Sequence, residues 1–174
     1  MIAITRIFLL ATAFVLALAF VAPATGHAQE AKRIGKHGDW TAYTRGTGNS
    51  QFCYMVSQPQ SASLESRRGE IFFLVWHRPG QKEFDVVQVD IGYPFKELSE
   101  VEVRVGEDSW YLFTKEESAW TYEQADDKGL VTALRKGARM TVEGISGRNN
   151  PTTDSYSLKG TSAAYAAINK ACGR

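Results

Sequence analysis

The chain has 174 residues, with 20 basic and 19 acidic side chains and a formal charge of +1. That balance excludes the concentrated basic footprint that nucleic-acid binding demands, and it gives no electrostatic reason to adhere to an anionic membrane. With two cysteines in all, a cysteine-rich metal or disulfide scaffold is excluded as well.

Residues 1–28 read as a cleaved secretory signal peptide. Arg6 is a lone positive charge, Ile7 to about Ala22 is an uncharged apolar core, and small residues follow. Cleavage after Ala28 is preferred to cleavage after Ala24, because Pro23 then lies upstream as a breaker and the charged chain starts at once. An uncleaved anchor is the alternative, since roughly 17 apolar residues can span a bilayer, but no positive cluster follows to stop transfer. Removing the segment leaves 19 basic against 19 acidic residues and no further transmembrane stretch. The remaining residues suit one domain, 38–174, preceded by a flexible lead-in over 29–37 that is polar and without period.

Gly38–Tyr43 reads as a first strand with Trp40 and Ala42 on one face, and the glycine-rich Arg45–Ser50 as a turn. Phe52–Val56 follows as a strand with Cys53 and Met55 on one face and Phe52, Tyr54 and Val56 on the other. Ser57–Gly69 is a long loop carrying Arg67 and Arg68, a pair read as solvated in preference to gripping an anion. Ile71–Arg78 and Phe84–Ile91, joined by Pro79-Gly80, form the central antiparallel hairpin. Pro94 stiffens the aromatic connection Gly92–Phe95.

Val101–Val105 alternates three valines with Glu102 and Arg104, which marks a strand with one wet face. It pairs through Gly106–Asp108 with Trp110–Phe113. A helix capped by Asp126 or Asp127 carries Leu130, Val131 and Leu134 and ends at Gly137. Ala138–Ile145 and Ser155–Leu158 are the last strands. Thr161 or Ser162 caps a C-terminal helix in which Ala164, Ile168 and Cys172 share one face.

Cys53 and Cys172 are expected to pair, because two cysteines in an exported chain usually bond to each other and the helical spacing aims Cys172 at the sheet. A zinc site with His37 and His77 is rejected for want of ligand spacing. There is no GxSxG elbow, HExxH, phosphate-binding glycine loop or CxxC. His77, at the end of a core strand, is the one candidate for an enzyme of unrecognised type, and it needs an acid or nucleophile brought beside it. The chain is read as non-enzymatic and without cofactor.

The motifs taken in order are similar to those of the invasion-associated locus B family of exported Gram-negative proteins. They are Gly38-Asp39-Trp40, Cys53-Tyr54, Ser57-Gln58-Pro59, Ile91-Gly92-Tyr93-Pro94-Phe95, Ala119-Trp120, and Asp154-Ser155-Tyr156-Ser157-Leu158-Lys159-Gly160 with Cys172. The resemblance implies a mainly β, immunoglobulin-like antiparallel sandwich with one or two short helices. It also implies a periplasmic or cell-surface location, and a part in host-cell invasion or envelope maintenance. Family members often carry a further cysteine shortly after Gly-Asp-Trp, where this chain has Tyr43-Thr44-Arg45, so a single bridge is expected.

The expected activity is binding, with Trp76, Tyr93, Phe95 and Trp110 as the candidate contact surface. The expected partner is an envelope or host-surface protein, or a glycan. A glycan or peptidoglycan binder would need two aromatic rings coplanar on one wet face.

Overall fold

The computed structural model describes residues 30–174, so the signal-peptide reading of 1–28 lies outside the described residues. The strands are β1 (Lys32–His37), β2 (Trp40–Arg45), β3 (Phe52–Ser57), β4 (Ser61–Ala62), β5 (Phe72–Arg78), β6 (Glu83–Asp90), β7 (Glu100–Val105), β8 (Asp108–Lys115) and β9 (Ser118–Thr121). Helix α1 (Gln124–Lys136), β10 (Arg139–Ile145), β11 (Pro151–Ser157) and α2 (Thr161–Ala171) complete the order.

All eleven strands hydrogen-bond into one antiparallel sheet, in the order β1-β2-β3-β5-β6-β9-β8-β7-β10-β11-β4. The sheet bends back so that its halves face each other. Phe73 on β5 meets the edge of Tyr156 on β11 with ring centroids 6.0 Å apart, and the Trp40 indole on β2 donates to the Ser157 carbonyl at 3.1 Å. The chain therefore adopts the expected mainly β, antiparallel fold with two helices. Its facing layers are halves of one sheet, made continuous by the β8–β9 hairpin that links β6 to β7.

Alternation decides which side chains go inward. Trp40, Ala42, Cys53, Met55, Phe73, Val75, Val87, Val89, Val101 and Val103 are all fully buried. At the same register on the opposite face stand half-buried Tyr43, Tyr54, Leu74 and Val86 and the buried Trp76. Helix α1 inserts Leu130, Val131 and Leu134, the expected positions. Its N-cap is Glu123, and the expected capping residue Asp127 instead turns inward, where it accepts from the Val87 amide at 2.8 Å and the Thr121 hydroxyl at 2.7 Å.

The lead-in reading of 29–37 is corrected from Lys32 onward. Lys32–His37 is a strand paired with β2 from Lys32↔Thr44 to His37↔Trp40. A ladder uses backbone donors and acceptors, which a polar sequence supplies as well as an apolar one. Its lysines and arginine also guard an edge strand against pairing with another chain. The long loop before β5 likewise holds β4, whose two residues pair with Asp154 and Ser155 of β11.

The β1–β2 turn lies directly on the connection into α2. The Asp39 amide donates to the Lys159 carbonyl at 3.0 Å. Gly38 and Gly160 both have left-handed backbones, with φ of 57° and 97°. A Cβ on Gly160 would stand 1.9 Å from the His37 carbonyl oxygen. Beyond this junction α2 buries Ala164 and Ile168, and Cys172 bonds to Cys53 on β3, as its helical spacing indicates.

Gly160→Ala therefore combines a left-handed alanine, costing about 1–2 kcal/mol, with a clash against a fixed carbonyl. The expected loss in urea unfolding exceeds about 3 kcal/mol, the range reserved for a forced backbone shift. A loss below about 1 kcal/mol would show that the junction yields.

Candidate functional site

His77 is fully buried on β5. Its Nδ1 accepts the Asp85 backbone amide at 3.0 Å, and Nε2 lies 2.9 Å from Asn169 Oδ1 on α2. With Nδ1 accepting, the neutral ring carries its proton on Nε2 and donates it to Asn169. Both nitrogens are thus engaged, and the ring has no lone pair to offer a substrate.

Burial pushes the His77 pKa below its ordinary value, against a smaller opposing pull from the Asp85 carboxylate, 4.0 Å away. That carboxylate accepts from the Tyr165 hydroxyl and from the Arg174 guanidinium, each at 2.6 Å. Asp85 reaches this position through a left-handed backbone with φ of 63°, beside the register shift in the β5–β6 ladder. The acid that a catalytic reading of His77 requires is therefore present, but it is committed to holding α2 and Arg174 on the central hairpin. The sequence offered no sign of this group, because Asp85, Tyr165, Asn169 and Arg174 meet only in three dimensions.

The Arg67-Arg68 pair divides. Arg67 is exposed, whereas the Arg68 side chain is buried. The Arg68 guanidinium grips Asp154 on β11 with two bonds of 2.5 and 2.7 Å, donates to the Ile91 and Ser63 carbonyls, and lies 5.0 Å over the Tyr93 ring. Reading both arginines as solvated is correct for Arg67 alone, because a single acidic residue 86 positions away captures its neighbour.

The four aromatic residues expected to form a contact surface are placed apart. Trp76 lies on the outer sheet face at 9% exposure, with the Phe52 ring 5.5 Å away and Arg78 4.9 Å above it. Phe95 is buried and meets the half-buried Tyr93 edge-on at 5.8 Å. The Tyr93 hydroxyl bonds to Thr152, and burial raises its pKa. Trp110 is half-buried, packed against the core near Gly129 of α1. Only Tyr93 and Phe95 are neighbours.

The exposed rings are others: Tyr111 and Phe113 take the outward positions of β8 on either side of buried Leu112, and Tyr122 follows β9. Tyr111 and Phe113 are 55% and 36% exposed, and Tyr122 is 58% exposed. Phe113 stands 5.4 Å from Tyr122 and 5.8 Å from Trp120, with the rings tilted by 54° and 33°. Around them lie the Tyr122–Glu100 hydrogen bond of 2.8 Å and the Arg104–Glu102 ion pair of 2.7 Å. On the other half of the outer face Tyr43 and Tyr54 are nearly parallel at 5.1 Å, but they stack on each other and so cover one face each.

A separate cavity of about 410 Å³ lies between the turn after β4, the Gly92–Pro94 connection and the β10–β11 turn. Leu64, Arg67, Tyr93, Pro94, Glu117 and Arg148 are among its lining residues. No cluster of potential metal ligands occurs among the described residues.

The family model for the Invasion associated locus B (IalB) protein matches residues 40–169. Among solved structures, the chain is similar to the crystal structure of invasion associated protein B from Bartonella henselae. The TM-score is 0.58 at 16% identity, covering 80% of this chain and 98% of that one, a likeness of fold. No curated protein matches.

Two measurements check these assignments. The folded pKa of His77 lies below its unfolded value of about 6.5, so below that pH protonation favours the unfolded chain. The urea midpoint of the native protein should fall from pH 7.5 to pH 5.5 more steeply than that of His77→Gln, and equal slopes would refute the buried neutral imidazole. Asp154→Ala leaves Arg68 charged and buried, with an expected cost of about 3–5 kcal/mol. A loss under about 1 kcal/mol would mean that water reaches the guanidinium.

Proposed function

We propose a function from the premise that the chain belongs to the invasion-associated locus B family. It is an exported envelope protein that binds a partner through the outer face of its sheet and performs no chemistry of its own. The family and its Bartonella relative are named for invasion, and the corresponding role here is adhesion to a host-surface or envelope protein. Export is supported by the signal-like sequence of residues 1–28 and by the Cys53–Cys172 bridge, which suits an oxidising compartment. No helix among the described residues is long and apolar enough to cross a membrane.

The observation that carries the binding role is the cluster Tyr111, Phe113 and Tyr122, exposed on a sheet whose inner face is fully packed. Exposed aromatic rings on a rigid support, ringed by charge pairs, have the make-up of a protein–protein contact. A protein partner is preferred to a glycan because the exposed Phe113 and Tyr122 rings tilt by 54° and form no flat platform. The non-catalytic reading is supported by His77, whose two nitrogens both serve the fold.

A photo-crosslinking residue in place of Tyr111 should capture a discrete partner from intact envelopes, whereas the same residue at exposed Lys128 on α1 should not. Tyr111→Ser combined with Phe113→Ser should keep the native melting behaviour and weaken that partner by at least tenfold, about 1.4 kcal/mol. Equal capture at both positions, or none, would overturn the assignment.

A further inference from the structure

The cavity beside Arg68 is built differently from the aromatic face, and nothing in the partner-binding role uses it. Four chain segments far apart in sequence line it, and its wall is fixed. The Arg68 guanidinium is pinned by Asp154 and two carbonyls, and it holds the Tyr93 ring beneath it. Tyr93 is in turn tied through its hydroxyl to Thr152 on β11. A wall held by such buried contacts needs no ordering when a ligand arrives, which lowers the cost of binding.

Its chemistry is mixed in a specific way. Asp154 neutralises Arg68, but Arg67 and Arg148 are exposed at the cavity, and neither guanidinium has an acidic or hydrogen-bonding partner among the described residues. Guanidinium groups match the planar, two-point acceptor geometry of carboxylate and phosphate. Leu64, Tyr93 and Pro94 supply apolar surface. Glu117, the one acidic side chain at the cavity, has a carboxylate that accepts hydrogen bonds and repels a bare anion. An occupant that suits all of these carries a negative group for the arginines, hydroxyls for Glu117 and a carbon ring for the apolar wall. A cavity of about 410 Å³ is within the size class of small-molecule sites.

We propose that this cavity is a binding site for an anionic sugar, a saccharide unit bearing a carboxylate or a phosphate, with Arg67 and Arg148 as the groups that recognise its charge. Arg68 acts as a positioning residue, shaping the wall through Asp154 and Tyr93. The unit can be a free saccharide or the end of a longer glycan, since the recognising chemistry is the same.

The test uses the folded, disulfide-bonded protein and amide chemical-shift titrations with glucuronic acid, glucose 6-phosphate, glucose and inorganic phosphate at low salt. Both acidic sugars should shift the amides of Arg67, Tyr93 and Arg148 and should bind at least tenfold more tightly than glucose or inorganic phosphate. Raising the salt should weaken both, because the arginines are exposed and screened. An oligosaccharide of uronic acids separates the sources: tighter binding than the monomer identifies a longer glycan, and equal binding identifies a single unit. Arg67→Ala combined with Arg148→Ala removes only exposed side chains, so the fold should persist while acidic-sugar affinity falls at least tenfold. The proposal fails if inorganic phosphate binds as well as glucose 6-phosphate, if the double variant binds unchanged, or if no acidic sugar shifts these amides at millimolar concentration. None of these outcomes depends on the aromatic face, whose variants alter other residues.

Discussion

The structure depends on a close backbone approach between two distant parts of the chain. At Gly38 and Gly160, the β1–β2 turn and the entry to α2 come so near that neither position has room for a side chain. The Asp39–Lys159 and Trp40–Ser157 hydrogen bonds fasten the same place. Here the two ends of the folded-back sheet meet, β2 is laid against β11, and α2 is launched over the inner face. The Gly38-Asp39-Trp40 and Asp154–Gly160 motifs, some 120 residues apart, are therefore two sides of one contact. Ser57 belongs with them, since its hydroxyl donates to the Asp39 carbonyl at 2.8 Å. These parts of the family pattern describe how the fold closes.

Three buried carboxylates do comparable work elsewhere. Asp85 ties α2 and Arg174 to the central hairpin, Asp127 ties α1 to β6 and β9, and Asp154 fixes the loop before β5 through Arg68. Each accepts two or more hydrogen bonds, as a buried charge must if it is not to destabilise the fold. Polar residues that resemble a catalytic set on paper are here spent on joining elements. The side chains left free of such joins are on the outside, among them Tyr111, Phe113 and Tyr122 and the exposed Arg67 and Arg148.

Period-2 alternation made most of the sheet legible. Trp40, Ala42, Cys53, Met55 and the three valines of β7 all point inward as their parity requires. The spacing Ala164–Ile168–Cys172 placed the sulfur correctly beside Cys53. Strand β1 was hidden because its ladder rests on backbone groups, and β4 because two residues are too few to show a period. The contact surface was harder for a different reason. Hydropathy ranks Trp76 and Phe95 as notable, yet exposure is decided by what covers each ring, and Arg78 and the sheet cover these two. The division of Arg67 from Arg68 also had no local signature, since it is made by Asp154.

The bridge between Cys53 and Cys172 spans 119 positions, and all eleven strands precede its second cysteine. During synthesis, every strand emerges before the covalent bond has a partner to form with. The disulfide therefore cannot guide strand pairing as the chain appears. Once formed, it ties the C-terminal end of α2 to β3 and closes a loop that holds every strand from β4 to β11.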